Sequence, residues 1–555
     1  MDGPSDGRHR VPEQPIAMAT NTPEAALARG EVEAQHLLRR APNSYLFNQA
    51  YGLWLFLSLF LLTILITHNV STRQYGFYIT IQAAMNTILY LVALGLEEAT
   101  ATFAPRIFAE QGPAAAARLI RRLLGLRLLV LAVVSLMIIF GLPVLATLIA
   151  LVPLTGSAGV ATSLRDPVLL AHTLPVALYV VGTSVANLLS TVYATQMRMR
   201  QVFFIGSAIQ LTLLAGGFLM LRAGAGVDGV LWTQAIVALL SAGAYAVWQA
   251  PLLLTRAGHY TQPLKPVIRL GVSAWLTNLA SGALLKQISI ILLLAFTAKL
   301  ADTYIAYFNV AFQIADAANL LLVSGFIGVG GSAIAAAFVG NSFERLAQTW
   351  QALIKVETLL AAPGLVFCLF NAPNIIHTIY GSQYDPAGSL LAIFLFFNIL
   401  VRILGTTIHQ VSLYVIGRPG LVVLSQWIGL ATLVLSGIVL VPTQGAAGAL
   451  IADGIARTVT GVLMLIFLLR KLPPRYPLEL LGFTLRFLLA LILAAVPGLL
   501  WHPQSRILLG VSGVLFIVLC AALLLLIKPL KMTDIEMIGK TNARVVPLLR
   551  RFARR

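Results

Sequence analysis

The sequence predicts an all-α polytopic membrane protein with about fourteen transmembrane helices. Of its 555 residues, 59 % are hydrophobic and only 10 % are charged, whereas a soluble protein carries roughly a quarter charged residues. Apolar windows of about 20 residues, the length of a helix that crosses a bilayer, recur along the chain. A third observation is that Lys and Arg are concentrated in alternate loops, as in multi-pass membrane proteins.

The apolar windows define the candidate spans in chain order. They cover residues 45–67, 76–100, 123–149, 168–195, 203–222, 228–253, 270–297, 303–337, 349–371, 388–416, 420–441, 446–469, 480–500 and 507–528. Residues 1–42 are polar and lack the apolar core of a cleavable signal peptide. We therefore expect them to form a disordered cytoplasmic tail, with the first span acting as an uncleaved signal anchor.

The distribution of basic residues predicts the orientation. With the N-terminus in the cytoplasm, 30 of the 38 Lys and Arg residues, Arg127 among them, fall in inside loops or at the cytoplasmic ends of spans. Five fall outside and three lie deep within spans. This asymmetry follows the positive-inside rule and accounts for the net charge of +18 without a nucleic-acid partner. The expected location is the plasma membrane, with both termini cytoplasmic.

Two pairs of segments indicate an internal repeat. GVDGVLWTQAIVA (226–238) is similar to GAAGALIADGIAR (445–457), and YGFYITIQ (75–82) is similar to YIAYFNVA (304–311). The separations, 219 and 229 residues, agree after a few insertions. Because each repeat contains six helices, an even number, both halves enter the membrane in the same orientation. This is the parallel-repeat layout of some transporters.

The repeat divides the chain into two lobes and an extension. We predict an N-lobe of six helices (43–256), a C-lobe of six helices (257–471), two further helices (472–528) and a basic cytoplasmic tail (529–555). Transporters built in this way bind substrate where the repeats meet. A central cavity is therefore expected between the lobes.

Five charged residues lie deep within predicted spans: Lys286, Arg402, Arg457, Asp316 and Asp453. A charge at the bilayer centre costs roughly 2.5–3.5 kcal/mol even on the most lenient scale. Each of these side chains is therefore expected to face a cavity or a partner and not lipid.

Polar residues at helical spacing extend these positions into stripes. The stripes are Asn398, Arg402, Thr406, His409 and Ser412; Asn278, Gly282, Lys286 and Ser289; Asn309, Gln313 and Asp316; and, without charge, Gln82 with Asn86 and Asn187 with Thr191. They predict an aqueous cavity that is cationic on its C-terminal wall. The candidate substrate-binding residues are Arg402, Lys286, Arg457, His409, Asn398, Asn278, Gln82 and Asn86.

Some of these charges have alternative, structural roles. Asp453 and Arg457 are four residues apart with the acid first, which suits a salt bridge within one helix. Lys286 could pair with Asp316 in a similar way. Asp316 and Asp453 are thus candidates for ion pairs or for ion coupling.

Arg402 is the strongest candidate for a substrate ligand, because no acid lies within a turn of it on its own helix. A guanidinium group binds phosphate oxygens in a planar, bidentate way. His409, on the same stripe, could be a ligand, a proton carrier or a hydrogen-bonded core residue.

The sequence lacks the large external loops and catalytic motifs that are typical of several classes of enzyme. The predicted external loops are short, the longest covering 152–167, and no HExxH, GxSxG, P-loop or CxxC pattern occurs. Cys368 and Cys520 both fall in apolar runs, which argues against a disulfide framework or a cysteine metal site. The sequence predicts a protein that is not an enzyme and uses no cofactor or metal.

The helix plan and three motifs resemble those of a known superfamily. The motifs are YGFY at the start of the second span, LGLEEATATFAPRIFAEQG (94–112) at its end, and the GxxGA-like openings of the sixth and twelfth spans. Over residues 43–528 the chain resembles the multidrug/oligosaccharidyl-lipid/polysaccharide exporter superfamily, and most closely its lipid-linked oligosaccharide (Wzx-type) flippases. Many relatives place a basic residue between the LGL element and an aromatic. Here Thr102 precedes Phe103, so no role is carried over to that position.

The resemblance implies a flippase that works by alternating access. Its substrate would be an undecaprenyl-pyrophosphate-type lipid-linked oligosaccharide, moved from the cytoplasmic to the outer leaflet for cell-surface polysaccharide export. The implied partners are this substrate and membrane lipids, with polysaccharide polymerase or synthase components as further candidates. A monomer is expected.

The charges of the spans suggest a driving force for such transport. Three cations and two acids give a formal charge of +1, and a doubly negative head group would change it to −1. An inside-negative membrane potential would then favour outward movement of the loaded protein and return of the empty one.

Three alternatives remain open from the residues alone. The first is a multidrug exporter of the same superfamily. Such exporters commonly rely on an acid deep in the N-terminal lobe, whereas the first span of this chain has none, and cationic cavity walls would repel cationic drugs. The second is a lipid II flippase, although YLFNQAYGLWLF (45–56) lacks the basic residues expected early in that protein. The third is a scaffold of a polysaccharide synthesis complex that transports nothing itself.

Overall fold

The computed structural model describes residues 47–151, 157–165, 167–196, 198–255, 264–280, 285–297, 300–323, 334, 337–338, 342–501, 505–532, 551 and 553–554. The predicted N-terminal tail (1–42) lies outside these ranges, as do most of the C-terminal tail and most of the end of the predicted eighth span (324–337). The described part is almost entirely helical, which confirms the all-α class.

The helices of the first half follow the apolar windows. They are α1 (Phe47–Asn69), α2 (Thr72–Ala93), α3 (Leu96–Gln111), α4 (Pro113–Phe140), α5 (Leu142–Ala150), α6 (Ser157–Leu164), α7 (Pro167–Ala171), α8 (Thr173–Thr195), α9 (Met199–Arg222) and α10 (Gly226–Leu253).

The second half repeats this pattern and adds two long helices. Its helices are α11 (Leu264–Ala280), α12 (Leu285–Phe296), α13 (Ala301–Val323), α14 (Phe343–Phe370), α15 (Ala372–Tyr380), α16 (Ala387–Leu404), α17 (Thr406–Val415), α18 (Pro419–Gln444), α19 (Ala446–Leu469), α20 (Arg475–Leu500) and α21 (Arg506–Ile527). Two short strands, β1 (Leu530–Lys531) and β2 (Ala553–Arg554), pair in parallel.

Twelve helices in the described ranges are long and apolar enough to cross a membrane, so the protein is a multi-pass membrane protein. They are α1, α2, α4, α8, α9, α10, α14, α16 continued by α17, α18, α19, α20 and α21. The predicted seventh span corresponds to α11 and α12, which are shorter, and the eighth to α13, which carries more polar residues.

Four predicted spans are interrupted within the described residues by positive φ or by a capping residue, one of them at His172 between α7 and α8. Leu94 and Gly95 are both left-handed (φ 49° and 65°) and end α2, so the predicted span 76–100 is divided between α2 and α3. Gly405 (φ 71°) separates α16 from α17, because glycine adopts this conformation without a Cβ penalty. Gly141, in a right-handed conformation (φ −94°), lies at the cap between α4 and α5.

The repeated segments have matching geometry. Gly226 and Gly445, which correspond in the repeat, both have φ of +55° at the start of a long helix. The other matched segments open α2 and α13, and these two helices pack against each other. The sequence similarity therefore coincides with a backbone similarity at one site and a direct contact at the other.

Helices of each half pack mainly among themselves. In the first half α10 packs against α8 and α9, and α4 packs against α8; in the second, α18 packs against α19, and α14 packs against α16. The last two helices, α20 and α21, pack on each other and on α14. The two halves meet where α2 contacts α13 and where α3 contacts α11.

Candidate substrate cavity

A polar cavity of about 420 Å³ lies where the two halves meet, and we call it the central cavity. Its walls come from α1, α2, α8, α9 and α10 of the first half and from α12 and α13 of the second. The polar side chains along it are Tyr51, Thr63, Tyr78, Gln82, Asn86, Tyr179, Thr183, Asn187, Gln210, Gln234, Ser241, Lys286, Gln287, Asn309 and Gln313. The predicted candidates Gln82, Asn86 and Lys286 therefore lie together in one cavity.

A second cavity of about 580 Å³ adjoins the first, and we call it the vestibule. The two share Asn86, Tyr179, Thr183 and Asn187 as lining residues. The vestibule also contacts Glu97, Glu98, Arg127, Trp275 and Asn278, together with several Ser and Thr hydroxyls. Asn278, another predicted candidate, thus lies in the vestibule.

Lys286 is the one basic residue of the described chain that lines the central cavity. Its ammonium lies 4.8 Å from the centre of the Phe312 ring, an attractive cation–π arrangement. No carboxylate of the described residues lies within ion-pair distance, although Asp316 is near enough to attract it electrostatically. The Lys286–Asp316 alternative therefore does not form a direct pair, and the cation is available to the cavity.

Arg457 and Asp453 form the predicted pair within one helix. Arg457 Nε donates to Asp453 Oδ2 at 2.7 Å, and the Asp453 carboxylate is fully buried. The guanidinium also lies over the rings of Phe312 and Phe394, 5.7 and 5.6 Å from their centres. Neither residue lines the central cavity, so Arg457 is not placed there as a free cation.

Arg402 forms an ion pair with an acid on a neighbouring helix. Its Nη1 donates to Glu357 Oε1 on α14, where the carboxylate is only 2 % exposed. No acid lies within a turn of Arg402 on its own helix, as the sequence indicates, but a neighbouring helix supplies one from 45 residues away. Arg402 lines neither the central cavity nor the vestibule.

His409 and Asn398 do not face the cavity either, which corrects the predicted stripe. His409 is fully buried, accepts a hydrogen bond from Trp350 Nε1 at 2.9 Å and stacks on that indole. Asn398 is also buried and donates to the Phe394 carbonyl at 3.0 Å. Asn398 lies before Gly405 on α16, and that helix packs against α13, α14 and α19. His409 lies after Gly405, where the break interrupts the helical spacing on which the stripe depended.

An ion pair of the first half was missed from sequence. Arg127, counted among the inside loop cations, is a buried residue of α4 that is 1 % exposed. It donates to Glu97 Oε2 at 2.6 Å, to Ser184 Oγ at 2.6 Å and to the Ala93 carbonyl at 2.9 Å. Burial raises the pKa of the Glu97 carboxyl, against the opposing effect of the Arg127 guanidinium. Because Arg127 lies in the basic cluster 118–127, the sequence did not distinguish it from the loop cations.

Amide side chains form most of the polar wall of the central cavity. Gln234 donates to Tyr78 Oη at 2.8 Å and accepts from Gln82. Asn309 donates to Tyr75 Oη at 2.6 Å, across the contact between the halves. Asn309 was on a predicted polar stripe, whereas Gln234 was overlooked because isolated glutamines in apolar helices give no periodic signal.

The halves touch at both ends of this cavity system. At one end, which we call the Asp302 gate, Gly76 lies against the Asp302 carbonyl without room for a Cβ atom. Arg73 Nε lies 3.8 Å from Asp302 Oδ2. Gln383 Nε2 donates to the Thr67 carbonyl at 2.7 Å.

The other end, which we call the Glu98 gate, is closed by a similar set of contacts. Asn278 Nδ2 donates to Glu98 Oε1 at 2.6 Å, and Trp275 Nε1 donates to the Tyr90 carbonyl at 2.8 Å. Gly95 lies against the carbonyl of Gly271, again without room for a Cβ atom. The central cavity thus lies between two sets of contacts, each joining one half to the other.

A polytopic helical bundle with a polar cavity between two repeated halves has the architecture of a membrane transporter. Within the described residues, no group of three or more His, Cys, Asp or Glu side chains could hold a metal ion.

Residues 130–389, a little under half of the chain, match the family model described as "Polysaccharide biosynthesis protein". No curated protein sequence matches the chain.

Solved structures match over most of their length. A lipid II flippase, MurJ, in an inward closed conformation matches with a TM-score of 0.65 and 16 % identity, covering 85 % of this chain and 97 % of that one. An inward-facing multidrug resistance MATE family transporter gives 0.57 and 16 %, covering 77 % and 94 %. A transporter from Pyrococcus furiosus, described as having a binding pocket of reverse polarity, gives 0.53 and 15 %, covering 81 % and 98 %.

These matches confirm the resemblance to the multidrug/oligosaccharidyl-lipid/polysaccharide exporter superfamily, whose fold this chain has.

Proposed function

We propose that this protein is a flippase that moves an undecaprenyl-pyrophosphate-type lipid-linked oligosaccharide from the cytoplasmic to the outer leaflet by alternating access. The observation that carries the proposal is Lys286, a cation without a direct acidic partner among the described residues, on the wall of a polar cavity between the halves. A match to a polysaccharide biosynthesis model over residues 130–389 supports the same substrate class.

The composition of the central cavity fits a glycan that carries phosphate. Amide and hydroxyl side chains both donate and accept hydrogen bonds, as sugar hydroxyls require, and Lys286 supplies a positive charge for phosphate oxygens. The apolar tail of such a lipid would remain in the bilayer. With the N-terminus in the cytoplasm, the Glu98 gate is the inner gate and the Asp302 gate is the outer one.

Lys286, and not Arg402, is the residue to test as the phosphate ligand. In proteoliposomes with a labelled lipid-linked oligosaccharide in one leaflet, we expect the unmodified protein to expose the label in the other leaflet. Lys286→Gln should slow this translocation at least tenfold, whereas Lys286→Arg should retain much of it because the positive charge is kept. Normal amounts of folded protein in each preparation provide the control.

Four results would contradict the proposal in distinguishable ways. Faster translocation of lipid II than of the oligosaccharide lipid would favour the lipid II alternative, and export of a cationic dye would favour the multidrug alternative. If nothing is translocated but deletion of the gene still stops polymer assembly, the scaffold alternative is supported. Equal rates for Lys286→Gln and the unmodified protein would remove Lys286 from the mechanism.

A further inference from the structure

Two amide side chains of α13 bridge the halves beside the central cavity. Asn309 Nδ2 donates to Tyr75 Oη at 2.6 Å, and Gln313 Nε2 donates to Thr63 Oγ1 at 2.8 Å. The Thr63 hydroxyl already donates to the Leu59 carbonyl at 3.1 Å, so it must accept from Gln313. This fixes the orientation of the Gln313 amide, with its nitrogen toward the first half.

No described residue donates a hydrogen bond to the oxygens of the same amides. Asn309 Oδ1 and Gln313 Oε1 are buried and accept no hydrogen bond from any described residue, and the Asn309 side chain is only 3 % exposed. Gln287 follows Lys286 in sequence, and its Oε1 is likewise buried and accepts no hydrogen bond from any described residue. A buried acceptor without a donor costs its full desolvation penalty. The conformation in which the Asp302 gate and the Glu98 gate are both closed therefore has this desolvation penalty at three neighbouring positions.

The three residues share one wall. All line the central cavity together with Lys286, and Asn309 and Gln313 are four residues apart and so lie on one face of α13. A head group whose anion is held by Lys286 would lie against that wall. Hydroxyl or amide hydrogens of such a head group are the donors that the three oxygens lack.

We infer that Asn309 and Gln313, assisted by Gln287, couple closure of the Asp302 gate to occupancy of the central cavity by a head group rich in hydrogen-bond donors. Their nitrogens join the two halves, and a donor-rich head group in the cavity would supply the hydrogen bonds that no described residue gives to their oxygens. The inference rests on the proposed function for the identity of the donor-rich ligand, a sugar. A bare phosphate lipid, which lacks sugar hydroxyls, should not promote closure.

Disulfide cross-linking at the gate tests this coupling. Arg73→Cys and Asp302→Cys are introduced into a protein in which Cys368 and Cys520 are replaced by Ala, and oxidation rates are compared in proteoliposomes. We expect the lipid-linked oligosaccharide to raise the cross-linking rate at least threefold, and undecaprenyl phosphate to leave it unchanged. In Asn309→Leu and in Gln313→Met, each made separately, the ratio with and without oligosaccharide lipid should approach one.

The matched control is Gln249→Met. Gln249 Oε1 is also buried and accepts no hydrogen bond from the part of the chain that the structure describes. Its nitrogen donates to the Leu189 carbonyl at 2.6 Å, but the residue lines neither cavity. This variant should keep the threefold response. A merely structural role for Asn309 and Gln313 would change the cross-linking rate with and without ligand alike, leaving the ratio intact.

The inference and the proposed function fail differently. Translocation of the oligosaccharide lipid without any ligand effect on cross-linking, or an unchanged ratio in both α13 variants, would overturn the coupling while leaving the flippase proposal standing. Ligand-dependent cross-linking without translocation would uphold the coupling and overturn the flippase. An equal response to undecaprenyl phosphate would overturn the role of the sugar donors.

Discussion

Arg402 and Glu357 lie on neighbouring helices of the second half, α16 and α14, and their side chains form an ion pair with a nearly completely buried carboxylate. Removing one member of a buried pair leaves the other charge uncompensated, which typically costs about 3–5 kcal/mol. Replacing both members by apolar groups of similar size is often neutral. The pair is therefore expected to act mainly on stability.

Thermal unfolding in detergent distinguishes this role from ligand binding. Arg402→Met and Glu357→Leu should each lower the unfolding temperature strongly, and the double variant Arg402→Met/Glu357→Leu should recover most of the loss. If Arg402→Met unfolds at the normal temperature yet no longer translocates the oligosaccharide lipid, Arg402 contacts the substrate after all.

At the residue scale, sequence reasoning succeeded where partners are close along the chain. Asp453 and Arg457 could be paired from their spacing because a helix brings residues four apart onto one face. Glu357 and Arg402 could not, because the contact depends on how α14 packs against α16. Arg127 was misplaced for a similar reason, since its partners come from α3 and α8.

At the scale of elements, close backbone contacts between halves define the gates. Gly76 of α2 lies against the Asp302 carbonyl of α13, so a methyl group at this position would separate the two helices. Forcing extra atoms into a packed contact costs about 1–3 kcal/mol. An energy of that size shifts a two-state equilibrium by roughly 5- to 150-fold.

Gly76→Ala is accordingly expected to open the Asp302 gate. The cross-linking rate between Arg73→Cys and Asp302→Cys should fall by about tenfold or more, with or without substrate. Gly52→Ala in α1 is the matched control, because a Cβ atom there would meet nothing within 4 Å. An unchanged rate in Gly76→Ala would show that the halves do not need this approach to close.

The elements themselves were largely predictable from apolar length. The exceptions are breaks such as Leu94–Gly95, where two left-handed residues end α2 inside an otherwise continuous apolar window. Window averages do not register a change in backbone conformation. The same limitation made the stripe from Asn398 to His409 look continuous across Gly405.

At the scale of the whole molecule, the buried charges that the structure adds to those recognised from sequence cancel. Glu357 and Lys355 of α14, both 2 % exposed, add one acid and one cation, and the ion pair of Glu97 with Arg127 adds another of each. The expected formal charge of +1 for the empty protein is therefore unchanged. A head group with two negative charges would give the loaded protein a charge of −1.

This net charge predicts that the loaded and the empty protein respond to voltage in opposite directions. One charge crossing the full membrane potential gains about 2.3 kcal/mol per 100 mV. An inside-negative potential, set with valinomycin and a potassium gradient, should accelerate outward translocation of the oligosaccharide lipid. In an exchange assay, with substrate on both sides, the protein returns to the cytoplasmic side loaded and negatively charged. The same potential opposes that movement, so exchange should be slower. Translocation that is indifferent to the potential would contradict the charge assignment.

The amino-acid sequence by itself determined the membrane-embedded all-α fold, the repeat and the polar positions of α2 and α13, because apolar length and helical spacing are local properties of a chain. The tertiary structure decided which buried charges are neutralised and which remain available. That choice depends on contacts between helices far apart in sequence, so Arg402 was given a partner and Lys286 was left facing the cavity.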